Sequence, residues 1–135
     1  MRQRSIRPLP VLVGLALLGL AGCRGDQVPN GSWGGDHIVL TVTDGGGTVE
    51  MDCAHGTLDQ PLRLDDRGRF SVAGTFVPEH GGPVRGDEAA QTRPARYQGR
   101  MDRQDIEFTI TVEAQTGQGP FTVTLGKAPK VTKCL

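Results

Sequence analysis

The sequence predicts an all-β domain: an antiparallel meander of seven to eight strands closed into a barrel, with a β-sandwich as the alternative. Three observations predict it. Apolar and polar residues alternate with period two along most of the chain after residue 37, the mark of strands with one buried face. Turn signals rich in Gly and Asp recur at short spacing, which favours neighbouring antiparallel strands. No convincing helical stripe appears beyond the first thirty residues. Alternation is the same in a barrel and a sandwich, so both architectures stay open at this point.

The elements follow in order. Ile38, Leu40 and Val42 alternate with Val39, Thr41 and Thr43, and Asp44-Gly45-Gly46-Gly47 turns the chain. Val49, Met51 and Cys53 alternate with Glu50, Asp52 and Ala54, which places Cys53 on the apolar face. Leu58, Leu62 and Leu64 form a third strand interrupted by Pro61, and Asp65-Asp66-Arg67-Gly68 is the next turn. Phe70, Val72 and Phe76 point inward, with a bulge or bend expected at Gly74. After a long connection Ala95, Tyr97, Gly99 and Met101 share a face, and Asp102-Arg103-Gln104 reverses the chain. Ile106, Phe108, Ile110 and Val112 give the cleanest alternation, followed by a turn over Gln115 to Gly119. Phe121, Val123 and Leu125 make the seventh strand, and Val131 to Leu135 is a candidate eighth.

The first thirty residues read differently. Arg2, Arg4 and Arg7 precede an unbroken apolar run from Val11 to Leu20, the layout of a secretory signal peptide. The run is shorter than the roughly 20 residues a helix needs to cross a bilayer core. It ends in Leu20-Ala21-Gly22-Cys23. This segment resembles a bacterial lipoprotein precursor, whose lipobox is Leu, a small residue, Gly or Ala, then Cys. The resemblance covers residues 1–23 and implies cleavage before Cys23 with covalent lipid on its sulfur. One acyl chain holds a protein to a membrane weakly and two or more hold it stably. In enteric lipoproteins an Asp after the Cys retains the protein at the inner membrane. Arg24 stands there in this chain, so the resemblance favours the outer membrane where one exists, and otherwise the outer face of the cytoplasmic membrane. The expected organisation is therefore a signal peptide over 1–22, a lipidated tether over 23–30 and one β domain over 31–135.

Cleavage alters the charge. The 135 residues carry 15 basic and 15 acidic side chains, and residues 1–22 hold three Arg and no acid. The remaining 113 residues have 12 basic and 15 acidic groups, a net charge of −3. Nothing in that balance supports nucleic-acid binding, which needs a clustered basic surface. With Cys23 assigned to lipid, Cys53 and Cys134 remain in a compartment where disulfides persist, and a bridge between them is expected. Leu, Ile, Val and Phe make up about one fifth of the cleaved chain, a lean core that a disulfide would support.

Gly31-Ser32-Trp33 precedes the first alternating strand and holds the only Trp. With the strand count, it resembles the Gly-x-Trp opening of lipocalin-like and avidin-like barrels. The resemblance implies that Trp33 packs as a core plug at one end of the barrel. The chain lacks the several Trp of avidin's biotin pocket, so biotin is not an expected ligand.

Candidate chemistry is sparse. Asp52, Cys53 and His55 bring metal-ligand residue types close together, and Asp36 and His37 could add two more. There is no CxxC or HExxH spacing, and a disulfide would remove Cys53 as a ligand, so no metal is expected. Residues 78–93 form the longest connection, and Glu79, His80, Arg85, Asp87 and Glu88 make it the candidate binding loop. Arg24-Gly25-Asp26 and Arg85-Gly86-Asp87 are RGD tripeptides, matches too short in this composition to mark a site. After cleavage only Ser32 and Ser71 remain as serines, neither in a Gly-x-Ser-x-Gly setting, and no phosphate-cradling loop leads into a helix. The expectation is a non-enzymatic envelope lipoprotein acting as a binding or scaffold module. It has no cofactor beyond the lipid on Cys23, and its partners are the membrane and an envelope protein or small ligand. Two alternatives stand beside it. One is an inhibitor of secreted proteases that uses Arg24 to Asn30 as an inserting segment; the other is a small-ligand carrier with a pocket at the barrel mouth.

Overall fold

The computed structural model describes residues 26–83, 91–113 and 115–134. Eight antiparallel strands follow one another around a closed barrel: β1 (Gly31–Gly35), β2 (Ile38–Thr43), β3 (Gly46–Met51), β4 (Ala54–Leu58), β5 (Arg69–Pro78), β6 (Arg93–Asp102), β7 (Asp105–Val112) and β8 (Gln118–Leu125). Each strand pairs with its neighbours in sequence, and β1 pairs with β8 to close the ring. This is the expected meander, as a barrel rather than a sandwich. Closure removes the free edges that an open sheet would expose.

Alternation positions the core. Ile38, Leu40 and Val42 are buried while Thr41 and Thr43 face solvent; Ile106, Phe108, Ile110 and Val112 are buried while Asp105, Glu107 and Thr111 face out. An eight-stranded barrel is just wide enough for side chains to fill its interior. Here Trp33, Tyr97, Phe108, Leu40, Ile106 and Ile110 fill it, and none is more than 2% exposed. Phe108 lies between Tyr97 and Phe121, with ring centroids 6.5 and 5.7 Å away. Tyr97 keeps its phenol in this interior by donating a hydrogen bond to the Thr75 carbonyl at 2.7 Å. Its burial pushes the phenol pKa up.

Four elements depart from the alternation. The eighth strand is Gly31–Gly35, not Val131 to Leu135: among the described residues 131–134 there is no strand, and Leu135 lies outside them. The chain turns at Asp52 and Cys53, so Cys53 is exposed in the β3–β4 turn instead of facing the core. The third strand is Ala54–Leu58; Leu62 and Leu64 leave it and pack across one mouth of the barrel. Gly74 sits in unbroken register with both neighbours, and among the described residues the one register shift in the sheet lies between Phe108 and Ile110 of β7. Gly74 is required by proximity: a Cβ there would run into the Thr57 carbonyl and come within 3.1 Å of the Tyr97 ring.

The two mouths carry different closures. The tether end holds the start of β1, the β2–β3 turn, the β4–β5 connection and the β6–β7 turn. There Val28 donates its N–H to Leu62 (2.9 Å), and Leu64 donates to Asp26 (2.7 Å). The Trp33 indole N–H donates to Pro29 at 3.1 Å. The described part of the 23–30 stretch, residues 26–30, is thus packed onto the barrel, with Val28 1% exposed. The strap end holds the β1–β2 and β3–β4 turns and the start of the β5–β6 connection. After β8 the chain runs along β1 toward this end as a strap. Gly126 donates to Ser32 (2.8 Å), Lys130 donates to Gly35 (3.1 Å), and His37 donates to Lys130 (2.8 Å). Gly34 lies beneath the strap, where any Cβ would collide with the Lys127 carbonyl.

Candidate functional site

The strap end gathers most of the residues singled out by their chemistry. Cys53 and Cys134 form a disulfide across a sequence separation of 81, with Cα atoms 5.3 Å apart. The β3–β4 turn presents Cys53 to a strap already held nearby: Cys134 donates its N–H to Asp52 O at 3.0 Å, and Thr132 donates to Asp52 Oδ1 at 2.8 Å. The other carboxylate oxygen of Asp52 accepts from His37 Nδ1 at 2.6 Å. The Thr132 N–H, aided by His37, holds the Asp52 carboxyl below the usual carboxylate range.

Lys133 ties three elements together. Its ammonium donates to Glu50 Oε2 (2.6 Å), Glu79 Oε2 (2.8 Å) and the Met51 carbonyl (3.0 Å). Glu79 also faces His55 Nδ1 at 3.6 Å. The Lys133 hydrogen bond holds Glu79 below its usual pKa. Partial desolvation lowers the Lys133 pKa, but its bonds to Glu50 and Glu79 outweigh that and leave it raised. These groups are largely solvated, so the cluster works as a clasp and contributes modestly to stability.

The residues of the metal alternative are engaged in other contacts at this end. Cys53 is spent in the disulfide, Asp52 on His37 and Thr132, and His55 faces Glu79. Among the described residues, no three His, Cys, Asp or Glu converge to hold a metal. Of the candidate binding loop, Glu79 belongs to the clasp. His80 follows it at the surface, with its Nδ1 3.1 Å from the Gly81 carbonyl. Arg85, Asp87 and Glu88 lie outside the described residues. The inserting segment of the inhibitor alternative, where described, does not hang free: Val28 is locked against Leu62.

The tether end carries a feature that no sequence pattern marked. A cavity of about 730 Å³ opens where the β4–β5 connection meets β5, β6 and β7. Arg63, Asp65 and Arg69 line it from the first two, Arg100 and Glu107 from the others, with Leu64, Phe70 and Phe108 as its apolar part. Asp65 is committed: Oδ1 accepts from the Arg67 and Arg69 amides, and Oδ2 accepts from Arg69 Nε at 3.1 Å. The Arg69 amide above all, with that of Arg67, holds the Asp65 carboxyl low. The Arg63 and Arg100 side chains have no ion pair among the described residues, and neither does Glu107.

No known protein family matches the sequence, and no curated protein or solved structure matches it either. The arrangement at each end is therefore read on its own chemistry: a stapled strap at one mouth and a charged cavity with an apolar lining at the other.

Proposed function

We propose that the protein is a membrane-anchored lipoprotein of the bacterial cell envelope, whose small barrel is a non-enzymatic binding or scaffold module held by lipid on Cys23. The observation that carries this reading is Leu20-Ala21-Gly22-Cys23, placed directly after a basic and then an apolar segment. The packed interior supports a surface-acting module, because Trp33, Leu40, Tyr97 and Ile106 occupy the volume a carrier of this fold would offer its ligand. The disulfide fits an oxidising compartment outside the cytoplasm. Cys23 stands three residues before Asp26, so the link to the barrel spans at most about 10 Å. That length turns the tether end toward the membrane and presents the strap end, with its long β5–β6 connection, to whatever lies beyond. Mass spectrometry of the N-terminal peptide tests the anchor. A chain starting at Cys23 with a diacylglyceryl thioether is expected; an unmodified Cys23, or a chain still bearing Met1, overturns the reading.

A further inference from the structure

We propose that the cavity at the tether end binds a zwitterionic phospholipid headgroup, with Arg63 and Arg100 on the phosphate and Glu107 on the ammonium. Two observations carry it. First, the cavity holds two guanidinium groups, Arg63 and Arg100, that form no ion pair among the described residues, while Asp65 is saturated by Arg69 and two amides. Guanidinium forks suit phosphate oxygens, with two parallel N–H donors each. Second, Glu107 stands directly across from Arg100 in the β6–β7 ladder and forms no ion pair with it. A ligand carrying both signs satisfies all three side chains, whereas a simple anion would leave Glu107 facing a like charge.

The whole tether end does not behave as a basic surface. Asp26, Asp44, Asp59, Asp66, Asp102 and Asp105 lie in or beside the turns and connections of this mouth. A general attraction to anionic lipid is therefore not expected, and selectivity falls to the cavity. The membrane is the source of the headgroup because the Cys23 tether brings this end to it; in that respect the inference rests on the anchor proposed above. Headgroup capture would add a second point of attachment to the membrane beside the lipid on Cys23.

The test is an NMR titration of ¹⁵N-labelled chain 23–135 carrying Cys23→Ser. All eight strands, the core and the disulfide lie within this stretch. Dihexanoyl phosphatidylethanolamine is expected to shift the amides of residues 63–65, 69–71, 98–100 and 107–109 in a saturable way. The Arg63→Gln/Arg100→Gln double variant should bind at least about tenfold more weakly, the loss expected for a charge-assisted contact. Glu107→Gln should weaken the ethanolamine lipid and leave dihexanoyl phosphatidylglycerol unaffected. Arg63→Gln alone, in a connection outside the strands, guards against a fold defect in the double variant. Shifts elsewhere on the barrel, unchanged affinity in the arginine variants, or equal binding of inorganic phosphate would each overturn the proposal. The titrated chain has no lipid, so a failed titration leaves the anchor standing, and an unmodified Cys23 leaves a positive titration standing.

Discussion

At the tether end, Val28, Leu62 and Leu64 close the barrel with buried apolar side chains and two backbone hydrogen bonds. At the strap end, the closing groups are a disulfide, an Asp52–His37 contact and a lysine shared by two glutamates, all partly or largely exposed. The first closure draws on burial, which is indifferent to redox state and responds little to salt. The second draws on a covalent bond and on charges, which respond to both. Burial also needs local chain, and the N-terminal segment meets the β4–β5 connection side by side. The strap must instead be held against a turn some eighty residues away. A crosslink there removes much more freedom from the unfolded chain than a few solvated polar contacts could offset.

The strongest way to break the contrast is to remove the covalent closure. For a separation of 81, loop-closure entropy puts the disulfide's contribution at up to about 4.5 kcal/mol. The Cys53→Ser/Cys134→Ser chain should lose a large part of that in urea unfolding, and a reductant should produce the same loss in the natural chain. Its damage should be local. Amide exchange should rise at Lys130, Thr132 and residue 134 while Val28 and Leu64 keep their protection. Equal loss of protection at both mouths would show that they are one cooperative unit.

The matching change at the other mouth is Leu62→Ala. Leu62 is fully buried, and such a truncation costs about 2–4 kcal/mol, with the spread set by how far the site collapses. Its effect should be independent of reductant. A double-mutant cycle combining it with the cysteine variant should be additive to within about 0.5 kcal/mol, since the two sites share no partner.

How much of this was legible follows from what each residue packs against. Ile38, Leu40, Val42 and the Ile106 to Val112 run declare themselves because each has a polar neighbour on the outer face. Gly31–Gly35 does not: Gly34 and Gly35 have no side chains to alternate, and Gly34 is bare because the strap covers it. Leu62 and Leu64 carry the same period as a strand, yet they close a mouth, and period two cannot separate those uses. Cys53 continues the Val49–Met51 alternation by count alone, while the chain turns one residue earlier to meet Cys134. The disulfide itself followed from the expected compartment and the cysteine number. The cavity was hidden because Arg63, Asp65, Arg69, Arg100 and Glu107 are scattered across separate segments, and only the β4–β5 connection and the β5–β6–β7 ladder bring them together.

Acid and base should act on the strap end first. Asp52 and Glu79 have depressed pKa values in the folded chain, so their contribution is complete above the ordinary 3.8 and 4.5 and is lost as pH falls through the folded values. Lys133 is raised, so its contribution is complete below the ordinary 10.5 and is lost as pH rises through its folded value. Exchange at Thr132 and residue 134 should therefore quicken relative to Val28 and Leu64 between about pH 5 and about pH 3. Uniform quickening at both mouths would show that the clasp adds nothing to the crosslink.

The smallest expected effect lies in two turns with the same backbone problem. His37 at the strap end and Arg103 at the tether end are the non-glycine residues with positive φ among those described, at 66° and 59°. A left-handed conformation costs an ordinary residue about 1 kcal/mol, which glycine avoids. Arg103 makes no side-chain hydrogen bond or ion pair among the described residues, so Arg103→Gly should raise stability by a few tenths to about 1 kcal/mol. His37→Gly removes the same strain but also the contact with Asp52, so its gain should be smaller or absent. Paired urea titrations read the difference directly. If His37→Gly gains as much as Arg103→Gly, the His37–Asp52 contact contributes nothing to the strap, and the disulfide, Lys133 and the Thr132 amide hold that mouth without it.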